Sequence, residues 1–394
     1  MQTCDSCERH LDDDDTFDFN EFEEDDSKSV MTCADEMDAI RRLAVGRITD
    51  GASDEVLGPE AVERINALMA SSAGISMQVT CSSPTWNGRG PEVEIREMFR
   101  RLTSEPDPDT VRKGYDALPN RKVRDRKKSA IKGVRNANNA VKKALMKECT
   151  QPGDVVLDLC CGKGGDLHKW TDLRVKRVVF ADFARNSVEE CQRRYEDTKS
   201  GRGEVKNRPP EYDADFVVSD CFSRTLQRDL PYGVKFDVVS CQMALHYSFQ
   251  DQERARNALW NVNECLKPGG YFICTIPDSD VLYRRLMAVK SDSADPLSFG
   301  NRIYKVTFET NKAFPNFGSK YWFWLDEAVE TLPEYLVPKK DLLALAHRYG
   351  LEFIKSASFE DYIAQSVDRD NLHLTPDDME VISIYRAYVF RKRA

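Results

Sequence analysis

The chain has 394 residues, a net charge of −9 and 41% hydrophobic residues, enough apolar material to bury the core of one large domain or two smaller ones. No run of about 18 apolar residues occurs, so no membrane-spanning helix is expected, and an acidic start without a basic or apolar leader points away from secretion. Twelve cysteines at irregular spacing read as reduced thiols of the cytosol or nucleus and exclude a disulfide framework.

The charge is unevenly placed. Residues 1–50 hold sixteen acidic and five basic residues, so this stretch alone carries −11 and the remainder is near +2. Residues 1–35, with the acidic runs at 12–15 and 21–26, offer little that could pack and are expected to be disordered. Cys4 and Cys7 form a lone C-x-x-C with Cys33 far away; zinc needs four ligands, and no metal is expected. Residues 36–110 form an N-terminal extension with helical periodicity around 54–69 and a loose Ser, Pro and Gly stretch at 71–91. Residues 112–147 then carry thirteen basic residues against two acidic. A local patch of this kind can attract RNA on an acidic chain, because charge is felt within about 8–10 Å. The run at 121–128 can serve as an RNA-backbone contact or as a nuclear import signal, or can be a plain solvated helix.

From residue 115 onward one domain, 111–394, is expected. Apolar residues at helical spacing (Val134, Ala137, Val141, Leu145) predict a helix over 131–147. Short apolar runs follow at 155–159, 177–181, 216–218, 236–241 and 271–276. They alternate with amphipathic stretches at 164–170, 187–198, 223–230 and 252–266. That alternation predicts an α/β fold with a mostly parallel sheet covered on both faces. The tail adds a helix at 339–349 and runs at 352–356 and 382–391, which suit an antiparallel edge pair.

The strongest local signal is V-V-L-D-L-C-C-G-K-G-G-D at 155–166. A strand runs into a glycine-rich turn that opens a helix, where backbone can approach a ligand and free N–H groups face it. Asp182 ends the second strand, where a carboxylate can accept from ribose hydroxyls. Asp220 follows the third strand beside Cys221 and Phe222, and suits an adenine amino group and ring. Gln242 and Tyr247 follow the fourth. One such acid alone would more often cap a helix; four polar strand ends on one sheet edge point to a ligand. The turn reads G-K-G-G rather than G-x-G-x-x-G, which favours S-adenosylmethionine over a dinucleotide.

Several segments resemble the messenger RNA cap guanine-N7 methyltransferase family of class I S-adenosylmethionine-dependent methyltransferases. They are R-N-A-N-N at 135–139, L-D-L-C-C-G-K-G-G-D-L-H-K-W at 157–170, C-Q-R-R-Y at 191–195 and D-V-V-S-C-Q-M-A-L-H-Y-S-F at 237–249. L-K-P-G-G-Y-F-I at 266–273, F-G-N-R-I-Y at 299–304, P-E-Y-L-V at 333–337 and S-I-Y at 383–385 follow in the family's order. The resemblance implies a Rossmann-like, seven-stranded sheet with an insertion at 277–338 that contributes to a cap pocket. It also implies methyl transfer from S-adenosylmethionine to N7 of the terminal guanosine of capped RNA, leaving S-adenosylhomocysteine. The methyl donor would meet Lys142, Cys160, Gly162, Asp182, Asp220, Gln242 and Tyr247. The cap would meet Asn138, Asn139, Lys163, Lys169, Arg194, His246, Glu334 and Tyr385, with Lys163, Lys169 and Arg194 on the triphosphate. No acid, base or nucleophile is expected. A nuclear monomer acting on capped RNA follows, with the N-terminal region free to meet other capping or transcription machinery. The alternatives are a methyltransferase for another RNA or a small molecule, and an inactive RNA-binding scaffold. The last is motivated by one departure: the family has glycine where this chain has Cys160, and a side chain there disfavours a positive φ.

Overall fold

The computed structural model describes residues 111–112, 114, 129–202, 208–224, 226–293, 295–312, 314–366 and 372–393, all within the unit Glu105–Ala394. The expectations for 1–35, for 36–110 and for the basic run 121–128 lie outside the described residues.

Helix α1 (Lys132–Cys149) buries the predicted stripe, Val134, Ala137, Val141 and Leu145. Five parallel strands follow: β1 (Val155–Leu159), β2 (Arg177–Asp182), β3 (Asp213–Val218), β4 (Phe236–Gln242) and β5 (Leu266–Pro277). The intervening helices are α2 (Leu167–Leu173), α3 (Arg185–Lys199), the single turn α4 (Leu226–Asp229) and α5 (Gln252–Cys265), with a 3-10 turn at Leu245–Gln250 before α5. The apolar runs mark strands because β1, β2, β4 and β5 are covered on both faces. Side chains such as Phe180, Phe236 and Phe272 are fully enclosed, and each burial of that size contributes about 1.5–3 kcal/mol. β3, at the edge, is only partly covered.

Beyond β5 come α6 (Ser279–Ala288), four short strands β6 (Ser298–Gly300), β7 (Tyr304–Phe308), β8 (Lys320–Leu325) and β9 (Val329–Tyr335), then α7 (Lys339–Arg348), β10 (Leu351–Ser358), α8 (Phe359–Ser366), α9 (Pro376–Ile382) and β11 (Tyr385–Lys392). The main sheet runs β10-β11-β5-β4-β1-β2-β3 and the second sheet β6-β7-β8-β9. β11 lies antiparallel between β5 and β10. The two terminal strands do pair antiparallel, as expected, but only β10 forms the edge. The strand order reverses between β1 and β4, which opens a crevice at their carboxyl ends. Helix α9 starts on a Thr375–Asp378 capping box with Pro376 in its first turn, which satisfies two orphan N–H groups. That start fixes the approach of the chain to β11.

Candidate active site

The turn after β1 is built from two glycines with opposite needs. A Cβ on Gly164 would sit 2.7 Å from Cys191 Sγ and from Leu167 Cδ1, so glycine lets the turn press against α2 and α3. Gly162, at φ 52°, faces open space, which leaves room for a ligand. Its N–H donates to Asp182 Oδ2 at 2.9 Å, and Ala184 N–H donates to Oδ1 at 2.9 Å. The carboxylate that ends β2 is thus oriented by backbone on both oxygens. Cys160 takes φ 56°, the conformation glycine favours. The strain is about 1–2 kcal/mol for an L-residue, offset by packing of its thiol against those of Cys221 and Cys241. Cys160→Gly is therefore expected to leave the melting temperature within about 3 °C, whereas β-branched Cys160→Val lowers it by about 4–8 °C. Equal melting temperatures for the two variants would contradict the strained reading.

Asp220, after β3, accepts Phe222 N–H at 3.0 Å and a two-pronged pair of bonds from Arg254 at 2.9 and 3.1 Å. Arg254 was not legible as a site residue. It lies 34 positions away on α5, and only the fold joins the two. Gln242 ends β4 with its amide engaged internally, by Ser240 Oγ at 3.0 Å and Thr275 Oγ1 at 3.1 Å. Met243 follows at φ 60°, with its N–H donating to Thr275 O at 2.9 Å.

A second group gathers on β9 and the 3-10 turn. Glu334 is buried and accepts from Tyr321 Oη at 2.8 Å and Tyr247 Oη at 3.4 Å. His246 Nε2 stands 3.5 Å from Glu334 Oε1, yet neither ring nitrogen of this buried histidine has a hydrogen-bond partner. Its ring packs on Tyr247 with centroids 4.3 Å apart. Burial pushes the Tyr321 hydroxyl well above its ordinary pKa, and the adjacent carboxylate adds to this, so it stays a donor to Glu334. Tyr385 opens β11 opposite Pro277, the last residue of β5. Because β11 is antiparallel, its start lies at the edge where the parallel strands end. Tyr321 is a site residue that the sequence reading missed; the only signal was alternation in K-Y-W-F-W-L at 320–325.

The third group joins α1 to α2. Lys142 Nζ reaches Asp166 at 2.8 Å and 3.0 Å. Lys169, expected on the triphosphate, is packed between α1 and the glycine-rich turn. It is 8% exposed, and its ammonium is held by Asn139 Oδ1 at 2.7 Å, Asp166 Oδ1 at 2.7 Å and Gly165 O at 3.1 Å. All three of its donors are taken, so Lys169 belongs to the frame of the site. Burial penalises the Asp166 carboxylate, but Lys142 and Lys169 outweigh it and hold the pKa at about 2. Asp158, inside β1, is pushed up to about 7 by burial and by Asp166, despite donation from Trp170 Nε1 at 2.9 Å. Asn138 Oδ1 is buried without a partner. Arg194 is anchored by Glu190 at 2.7 Å and donates to Lys163 O at 3.0 Å, which steadies the glycine-rich turn from α3.

The seven-stranded sheet with one antiparallel strand, the open glycine turn and the acids at successive strand ends define a class I S-adenosylmethionine-dependent methyltransferase. Residues 100–383 match the mRNA (guanine-N(7))-methyltransferase domain family, and the chain belongs to it. It is 36% identical over 304 residues to mRNA cap guanine-N(7) methyltransferase 1 of Oryza sativa, covering 71% of this chain and 80% of that protein. It is 33% identical over 338 residues to mRNA cap guanine-N(7) methyltransferase 1 of Arabidopsis thaliana, covering 79% and 86%. With mRNA cap guanine-N(7) methyltransferase of Saccharomyces cerevisiae it shares 38% over 252 residues, 61% of this chain and 56% of that protein.

Proposed function

We propose that the chain methylates N7 of the terminal guanosine of capped RNA. The observation that carries this reading is the buried Glu334 carboxylate, held by Tyr321 and Tyr247 beside a buried histidine with both ring nitrogens unpartnered. Guanine displays two adjacent donors, N1–H and the N2 amino group, and Glu334 can accept both. Adenine has an acceptor at N1 where guanine has a donor, and would set that lone pair against the buried carboxylate. His246 and Tyr385 face the base, Asn138 and Asn139 its sugar or edges, and Lys163 and Arg194 neutralise triphosphate charge.

Gly162, the Cys160 backbone and Asp182 would hold the ribose and turn side of S-adenosylmethionine, with Asp220 at adenine and Lys142, Gln242 and Tyr247 at the remainder. Bound there, the donor supplies an electrophilic methyl group on a sulfonium. Guanine N7 keeps a lone pair at neutral pH, so no residue has to remove a proton. The side chains act by orientation, and Tyr247 links the two halves through its bond to Glu334. Positioning alone can supply about 7–11 kcal/mol. The insertion at 277–338 contributes Tyr321 and Glu334 to the cap pocket. The same reading places the protein in messenger RNA processing in the nucleus, as a monomer, with the N-terminal region available to capping or transcription partners.

The test is methyl transfer from labelled S-adenosylmethionine to GpppRNA, beside uncapped RNA and free GTP. Strong labelling of GpppRNA over uncapped RNA is the expected result. Equal labelling of uncapped RNA would overturn the reading.

A further inference from the structure

One buried ammonium touches a residue of the proposed cap subsite and is joined through Asp166 to a residue of the proposed donor subsite. An ammonium donates and never accepts, so Lys169 fixes the Asn139 amide: the oxygen faces Nζ at 2.7 Å, and the N–H2 group is turned away. Asn139 is itself exposed, so that N–H2 group is presented outward from α1. The same ammonium shares Asp166 with Lys142, which sits three residues further along α1. Gly165 O, in the glycine-rich turn, completes the set. A carboxylate and an ammonium from one end of α2 therefore hold one residue of the proposed cap subsite and one of the proposed donor subsite.

We infer that Lys169 is a positioning residue for both substrates, aiming the Asn139 N–H2 group at the capped strand and, through Asp166, setting the Lys142 ammonium at the donor. This rests on the function proposed above. The geometry gives the inference a physical form. Without Lys169 the Asn139 side chain is free to rotate, and its amide no longer has a preferred face. Asp166 would then be left with Lys142 as its one ammonium partner, which draws Lys142 toward α2.

The experiment measures kcat and separate KM values for GpppRNA and S-adenosylmethionine on the full chain, in Lys169→Met, Asn139→Ala and the double variant. Asn139→Ala is expected to raise the RNA KM about tenfold and leave the donor KM within twofold. Lys169→Met is expected to raise both about tenfold, and in the double variant the asparagine change should add less than about twofold to the RNA KM. Additive effects, or a Lys169→Met protein that melts lower with both KM values unchanged, would overturn the inference and leave Lys169 a scaffold residue. Should Lys169→Met fail to fold, Asn139→Asp carries the test, since its carboxylate keeps the ammonium contact and lacks the N–H2 group. It should raise the RNA KM about tenfold with the donor KM unchanged, and an unchanged RNA KM would overturn the inference. A wild-type chain that leaves GpppRNA unmethylated would remove the functional reading itself, and shows before any variant is made.

Discussion

Glu334→Gln is expected to lower kcat/KM for capped RNA about a thousandfold, roughly 4 kcal/mol of lost transition-state binding. The substitution keeps the shape and an acceptor for Tyr321, whose hydroxyl donates to the carboxylate at 2.8 Å. It removes the charge and offers guanine a donor where two acceptors are needed. Each charge-assisted bond is worth about 1.5–3 kcal/mol, and two are at stake. The melting temperature should fall by no more than about 4 °C, on the order of 1 kcal/mol in a domain of this size. Donor affinity, read by calorimetry, should be unchanged. Discrimination against an ApppRNA substrate should also weaken, because the buried charge that opposed the adenine N1 lone pair is gone. Wild-type kinetics on GpppRNA would remove Glu334 from the base-recognition role.

Asp182→Ala is the complementary expectation on the donor side. Two backbone N–H groups, of Gly162 and Ala184, aim this carboxylate at the end of β2, where it can meet ribose hydroxyls. Loss of the carboxylate should weaken S-adenosylmethionine binding about a hundredfold, or roughly 2.7 kcal/mol. It should also destabilise the fold by about 1–3 kcal/mol, because two N–H groups lose their acceptor. Asp182→Asn, which keeps one acceptor oxygen, should fall between the two. Titration calorimetry of the three proteins gives the order directly, and an alanine variant that binds the donor like wild type would remove Asp182 from the site.

The parallel part of the fold was legible because its signals are local. A strand covered on both faces reads as an unbroken apolar run, and β1 matches the reading to the residue. The glycine-rich turn carried its own signature. The second sheet was not anticipated. Its strands are three to seven residues long, alternate with no helices, and owe their order to antiparallel pairing across turns. The antiparallel pair of β10 and β11 was legible, but its attachment through β11 to β5 was not, since no periodicity says which strand of a pair joins the sheet.

Side-chain partners were the least legible part of the site. Lys169 was read as a triphosphate contact, and only the packing of α1 on α2 reveals its bonds to Asn139 and Asp166. Arg254 and Asp220 meet only because the fold brings the first turn of α5 to the loop that follows β3. Cys160 is the opposite case. A non-glycine in a glycine position was readable as a conflict, and the structure resolves it by accepting the left-handed backbone.

The insertion of β11 between β5 and β10 has a consequence for synthesis. Until residues 385–392 have left the ribosome, β5 presents a long, unpaired rim of buried-type residues, including Phe272, Ile273 and Ile276. An open rim of that composition invites pairing with a neighbouring chain. The same strand therefore covers that rim and carries Tyr385 to the edge where the parallel strands end.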